Sequence, residues 1–210
     1  KNISFLLQGE LKIAAEDKLI KELPVAEKFI IRNLAETGRI ARTTDLTHRL
    51  VGEKATAIDE SKVAFIAEIS NQLTLIDEND NYYEAVSIAE YGDKKSIKQR
   101  VDEIVKIIKE AKKPLSLDDL DSSLSYEHPN HINALALVSK KLATLNGHWG
   151  LVKWPEVNPK NIKDKIYVVL SQVKKPMHFS EINNAIKNSD FKRKNVTKQA
   201  IHNELIKDSR

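Results

Sequence analysis

Apolar residues recur along this chain at three- and four-residue spacing, in short blocks broken by Pro, Gly and basic pairs. The pattern is sharpest near the end. Ile166, Val169, Leu170 and Val173 make one helical stripe. Lys174-Lys175-Pro176-Met177-His178 reads as a short extended stretch, with Phe179, three residues past the proline, turned to a core. Glu181, Ile182, Ala185 and Ile186 lie on one side of a short helix. After the basic loop Lys192-Arg193-Lys194, a third helix over Val196 to Lys207 buries Ala200, Ile201 and Leu205. Helix, extended stretch, helix, basic loop, helix is the order of a winged helix-turn-helix.

The same form stands 62 residues earlier, with Pro114 against Pro176. Ile104, Ile107 and Ile108 precede it, and Leu120 and Leu124 match Ile182 and Ile186. A fixed spacing predicts repeated structural units. In this second segment Val101, Ile104, Val105 and Ile108 line the first helix. Ser116 and Asp119 have capping-box spacing for the second helix. A third helix is expected over Asn130 to Leu142, then a hairpin turning at Asn146-Gly147 with Trp149, Val152 and Trp154.

Upstream, Pro24 is expected to open a helix carrying Phe29, Ile30 and Leu34 and ended by Gly38. Thr43 to Leu50 and Asp59 to Ser70 follow as helices, with Asp59 as cap. Leu73 to Ile76 and Tyr82 to Val86 follow as a hairpin. Leu46, Leu120 and Ile182 are expected at equivalent core positions, as are Phe65, Val138 and Ile201. The reading is mainly α with small β-hairpin wings: tandem winged helix-turn-helix units at 24–92 (A), 93–159 (B) and 160–210 (C, wing missing). Residues 1–23 are expected to hold the wing and linker helix of a preceding unit, with strands over 3–7 and 11–15; a helix from Asn2 to Leu7 is the alternative to the first strand. Without its hairpin, unit C should cover Ala200, Ile201 and Leu205 less completely than unit B covers Leu137, Val138 and Leu142, unless a neighbour closes the edge.

Charge refines the picture. The net value of +4 says little, but residues 160–210 hold 12 Lys/Arg against 5 Asp/Glu, whereas residues 24–92 hold 7 against 12. A basic end beside an acidic middle predicts polyanion binding at one end. The absence of Cys excludes disulfides and zinc-thiolate sites. No apolar run approaches the roughly 20 residues of a membrane span, and no signal peptide is present. A cytoplasmic location is expected. The chain begins with Lys1, as expected of a piece of a longer protein.

Candidate chemistry is sparse. His128 and His131 have i, i+3 spacing that would suit a metal, but they flank Pro129-Asn130 at a helix start, and a cap is the better reading. His178 near Glu181 likewise reads as a cap. Asp118, Asp119 and Asp121 fall on the first turn of a helix, where carboxylates favour the positive dipole end. No phosphate-binding Gly-rich loop or nucleophile elbow is present. No catalytic residues, cofactor, metal or small-molecule substrate are expected. Lys198, Gln199, His202 and Asn203 lie opposite Ile201 and Leu205 on the last helix, where Gln and Asn suit adenine edges and Lys suits guanine. Lys192, Arg193 and Lys194 would meet phosphates. A solvated face on a protein-docking domain is the alternative. In the 59–70 helix the polar face carries Glu60, Lys62 and Glu68 and would repel phosphate, so that segment is expected to bind protein or to space its neighbours.

Residues 160–210 resemble the HARE-type winged helix-turn-helix domain. The resemblance rests on Pro176-Met177-His178-Phe179-Ser180-Glu181-Ile182 and on Thr197-Lys198-Gln199-Ala200-Ile201-His202-Asn203-Glu204-Leu205-Ile206-Lys207-Asp208. That family includes the delta subunit of bacterial RNA polymerase and modules attached to chromatin and restriction proteins. It continues with an aromatic strand and an Arg-Gly turn, which this chain lacks. Residues 1–159 resemble the middle of sigma-factor-like proteins from uncultivated bacterial lineages, although no sigma signature lies within them. The resemblance implies a transcription-associated module whose partner is double-stranded DNA. The alternative is a scaffold docking on RNA polymerase or a similar machine without touching DNA.

Overall fold

The computed structural model describes residues 13–124 and 128–208, with side chains from residue 22 onward. The described part is mainly helical, with two small three-stranded antiparallel sheets. Contacts group the chain into two compact units, Lys1–Ile104 with Ser125–Lys140, and Val105–Leu124 with Lys141–Arg210. This grouping cuts through the expected 93–159 segment, whose third helix belongs to the first unit and whose hairpin belongs to the second.

The first unit opens with α1 (Ile13–Thr37), which runs straight past Pro24. Proline was expected to start this helix. Its missing N–H costs one intrahelical bond, yet the turns on both sides remain helical. The expected strand over 3–7 and most of its partner over 11–15 lie outside the described residues; the part within them begins α1. Next come β1 (Ile40–Arg42), α2 (Thr43–Val51), α3 (Ala57–Ile69), β2 (Leu73–Ile76) and β3 (Ala85–Ile88). Strand β3 lies between the other two, in the order β1-β3-β2. Helix α3 starts earlier than expected, because Thr56 is the cap and Asp59 reaches back to it from the third position.

Ile30, Leu34, Leu46, Val63, Ala67, Leu73 and Val86 form this core. Two expected core residues lie elsewhere. Phe29 is 61% exposed, and Phe65 is only half-buried because Val63 and Ala67 face inward instead. After Thr37, Gly38 at φ +114° and Arg39 at φ +67° turn the chain into β1. Helix α6 (Pro129–Val138) packs against this corner so closely that a Cβ on Gly38 would stand 2.6 Å from the Asn130 carbonyl oxygen. Ile132, Ala134, Leu135, Ala136 and Val138 are all buried. A short helix apolar on so many sides must be covered on more than one face. It ends four residues before the expected Leu142, and Lys140 N–H then donates to the Asn81 carbonyl at 2.8 Å.

The dividing point falls within α4 (Lys94–Ala111). In the second unit, β4 (Leu115–Ser116) leads into α5 (Leu117–Ser123), capped by Ser116 and Asp119 as the spacing predicts. Leu142, expected in a helix, instead begins β5 (Leu142–Leu145), which pairs with β6 (His148–Leu151) in the order β4-β6-β5. Asn146 (φ +50°) and Gly147 (φ +75°) make the predicted two-residue turn, both residues left-handed as a primed turn requires. Trp149 is buried.

The chain ends in α7 (Ile162–Val173), α8 (Phe179–Asn188) and α9 (Lys198–Lys207). Their core is Ile166, Val169, Ile182, Ile186, Phe191, Val196 and Ile201, with Leu145 of β5 packed against it. Ile201 is wholly buried (0% exposed), as Val138 is, whereas Leu205 is half-buried where Leu142 is buried; Ala200 and Leu137 are both half-buried. Lys112 and Lys174 both adopt φ +54° directly after α4 and α7, so the backbone follows the 62-residue spacing. Among the described residues no helix is long and apolar enough to cross a membrane.

Candidate nucleic-acid interface

Helix α9 begins at Thr197, whose hydroxyl accepts from the Ala200 N–H at 3.1 Å. Ile201 anchors the helix, and its opposite face carries Lys198, Gln199, His202 and Asn203, all exposed. Gln199 Nε2 donates to Asn203 Oδ1 at 2.9 Å. That bond leaves the Gln199 oxygen and the Asn203 amide nitrogen for other partners. The His202 ring stands edge-on to Phe179, 5.4 Å between centroids, which orients it from α8. Ile206 lies one turn further along this face and is 72% exposed.

The first turn of α9 differs in charge from those of α7 and α8, the two helices it packs against. Helices α2, α3, α5, α7 and α8 each place a carboxylate in the first turn, where the helix dipole favours it. Helix α9 has no acid there and opens with Lys198; α4 likewise opens with lysine and lacks a first-turn acid, and α6 lacks one too. A cation at a positive helix end is mildly unfavourable in the free protein and favourable beside an anion.

The basic loop is held by its backbone. Phe191 and Val196, both buried, anchor its two ends in the core. Lys192 and Arg193 are exposed and Lys194 is half-buried. Arg193 takes a left-handed φ of +57°, and its carbonyl accepts from Lys165 Nζ at 2.8 Å. Lys165 projects from α7, is only 4% exposed, and pairs with no carboxylate among the described residues. Burial, with a smaller contribution from the Arg193 charge, pushes its amine below the ordinary lysine range. Three residues on, the Val196 carbonyl accepts from Asn183 Nδ2 at 2.6 Å. Asn183, on α8, is 1% exposed, and its own Oδ1 has no hydrogen-bond partner among the described residues.

All seven residues expected to meet nucleic acid thus lie on α9 or on the loop that leads into it. Lys165 and Asn183 were not anticipated. Each occupies a core position of its helix stripe, Lys165 between Ile162 and Val169, Asn183 between Phe179 and Ile186. A lone polar residue on an apolar stripe was the available signal. The other candidate groups are structural. His128 caps α6 by accepting from the Asn130 N–H at 3.2 Å, and His131 meets the Tyr91 ring edge-on at 5.3 Å. His178 caps α8 and Glu181 bonds back to its N–H at 2.7 Å. Asp119 caps α5 at 2.9 Å from the Ser116 N–H. Among the described residues no cluster of three His, Asp or Glu side chains is placed to hold a metal ion. Comparison of the chain with protein-family models, curated proteins and solved structures finds no match.

Proposed function

We propose that this chain is a DNA-binding, transcription-associated module of winged helix-turn-helix units, which meets duplex DNA through α9 and the loop 192–194. The fold part of this reading is supported by the helix-strand-helix-helix-hairpin order around β1-β3-β2, and by the matching strand order β4-β6-β5. The hairpins β2-β3 and β5-β6 are the wings. The observation that carries the functional part is the pairing of an acid-free, lysine-led helix start with a backbone-pinned basic loop. Lys192, Arg193 and Lys194 contact phosphates and fix register. Gln199 and Asn203 reach base edges, and Ile206 adds an apolar contact of the kind that fits a thymine methyl. The placement in transcription rests on the resemblance of residues 160–210 to the HARE-type domain.

A second reading, docking on a protein machine such as RNA polymerase, draws on the exposed Ile206 in the middle of the same face. Salt separates the two readings. Replacing Lys192, Arg193 and Lys194 by Glu should abolish duplex binding at moderate salt while leaving the circular dichroism melt unchanged. In single substitutions, each lost phosphate contact should lower the salt slope of binding by about 0.9. Unaltered affinity and slope in the triple variant would remove this surface as the DNA contact.

A further inference from the structure

The face that α3 and the β2-β3 hairpin present in the first unit has the opposite character to α9. Two adjoining concavities run along it and share Glu60 and Glu84 as common walls. Ala64, Phe65 and Leu75 give the longer one an apolar floor. The shorter one is bordered by Asp45 and Glu78, but both of these are neutralised, Asp45 by Arg42 at 2.7 Å and Glu78 by Lys140 at 2.6 Å. Glu60 and Glu84 are half-buried, and among the described residues neither carboxylate has an ion-pair or hydrogen-bond partner. Thr43, which lines the shorter concavity, keeps a buried hydroxyl oxygen without a hydrogen-bond partner.

Two half-buried carboxylates sharing one groove repel each other and are incompletely solvated, so a cation seated between them is attracted more strongly than at an open surface. The same charges repel phosphate. Phe65 and Leu75 would otherwise stay partly wet, and covering them adds a hydrophobic gain. We infer that this groove docks a basic, amphipathic polypeptide segment of a partner protein. A Lys or Arg of that segment lies between Glu60 and Glu84, and a neighbouring apolar side chain covers Phe65 and Leu75. This surface shares no residue with α9, and its role does not depend on whether α9 binds DNA.

A display library of random dodecamer peptides, selected on the full chain, tests the inference. The selected peptides should combine Lys or Arg with Leu, Ile, Val or Phe, and a full chain carrying Glu60→Lys and Glu84→Lys should fail to retain them. In fluorescence anisotropy with the strongest selected peptide, Glu60→Gln and Glu84→Gln should each weaken binding by about fivefold. These isosteric changes carry the test if the lysine variants melt early by circular dichroism. No enrichment, enrichment of acidic peptides, or equal retention by the variants would overturn the inference. So would sedimentation showing self-association that Glu60→Lys abolishes, because a second copy would then be the occupant.

Discussion

Lys165→Met separates the stability of the last three helices from the positioning of their basic loop. The wild-type residue is almost fully buried, its amine carries no counter-carboxylate among the described residues, and it holds the Arg193 carbonyl at 2.8 Å in a part-buried bond. A hydrogen bond from a charged donor contributes about 1.5–3 kcal/mol. Against it stands the desolvation of a lone ammonium, which costs several kcal/mol before compensation. Methionine keeps most of the aliphatic volume and removes both terms, and the freed carbonyl belongs to an exposed residue that water reaches. The expected change in unfolding free energy is therefore small, within about 1 kcal/mol. The loop, however, loses the bond that fixes it. Ordering a flexible side chain on binding costs about 0.5–1.5 kcal/mol, and re-ordering the loop cations should weaken duplex binding by about tenfold. Urea unfolding and fluorescence anisotropy on the full chain read the two effects. Lys163→Met is the control: Lys163 pairs with Asp208 at 3.4 Å on a partly exposed site, so it removes one charge without loosening the loop. Because burial lowers the Lys165 amine, the unfolded chain holds more protons between the folded value and the unfolded value of about 10.4. Wild-type stability should accordingly rise relative to Lys165→Met as pH climbs through that window. Wild-type affinity in Lys165→Met, at unchanged stability, would refute the positioning role; a loss above about 3 kcal/mol would mark Lys165 as a structural pillar instead.

Other consequences are equally open to measurement. The Ser116 hydroxyl and N–H hold the Asp119 carboxyl below the usual range, so its contribution is present above the unfolded value of about 3.9 and fades as pH falls through the lower folded value. Asp119→Asn should thus be less stable than wild type at neutral pH, and the two acid-to-neutral urea curves should converge as pH falls below the folded value. Gly38→Ala meets both a left-handed backbone and the Asn130 carbonyl, and should cost roughly 2–5 kcal/mol. Gly147→Ala is also left-handed but has no atom within 4 Å of the added carbon, so it should cost only the backbone strain, about 1 kcal/mol.

Much of this molecule was legible along the chain because the signals are local. The Asn146-Gly147 turn, the capping boxes at Ser116 and His178, and the stripes of α7 and α8 depend on residues a few positions apart, whose hydrogen bonds and side-chain faces are set by backbone geometry alone. The solvent-facing side of α9 followed in the same way once Ile201 was recognised as inward. Choices that depend on distant neighbours were decided by tertiary structure. Phe29 and Phe65 are apolar, yet Ile30 and Leu34 took the buried side of α1, and Val63 and Ala67 that of α3. Helix α6 joined the first compact unit because Gly38 leaves room for its backbone to approach. The core around Ile201 gained Leu145, a strand residue 56 positions away, as a partly buried member. The clamp on the basic loop, Lys165 to Arg193 and Asn183 to Val196, exists only when three helices bring buried polar atoms to carbonyls far along the chain. A polar residue on an apolar stripe signals that a partner is required, because its burial is otherwise costly. Which carbonyl supplies that partner is a property of the packed structure.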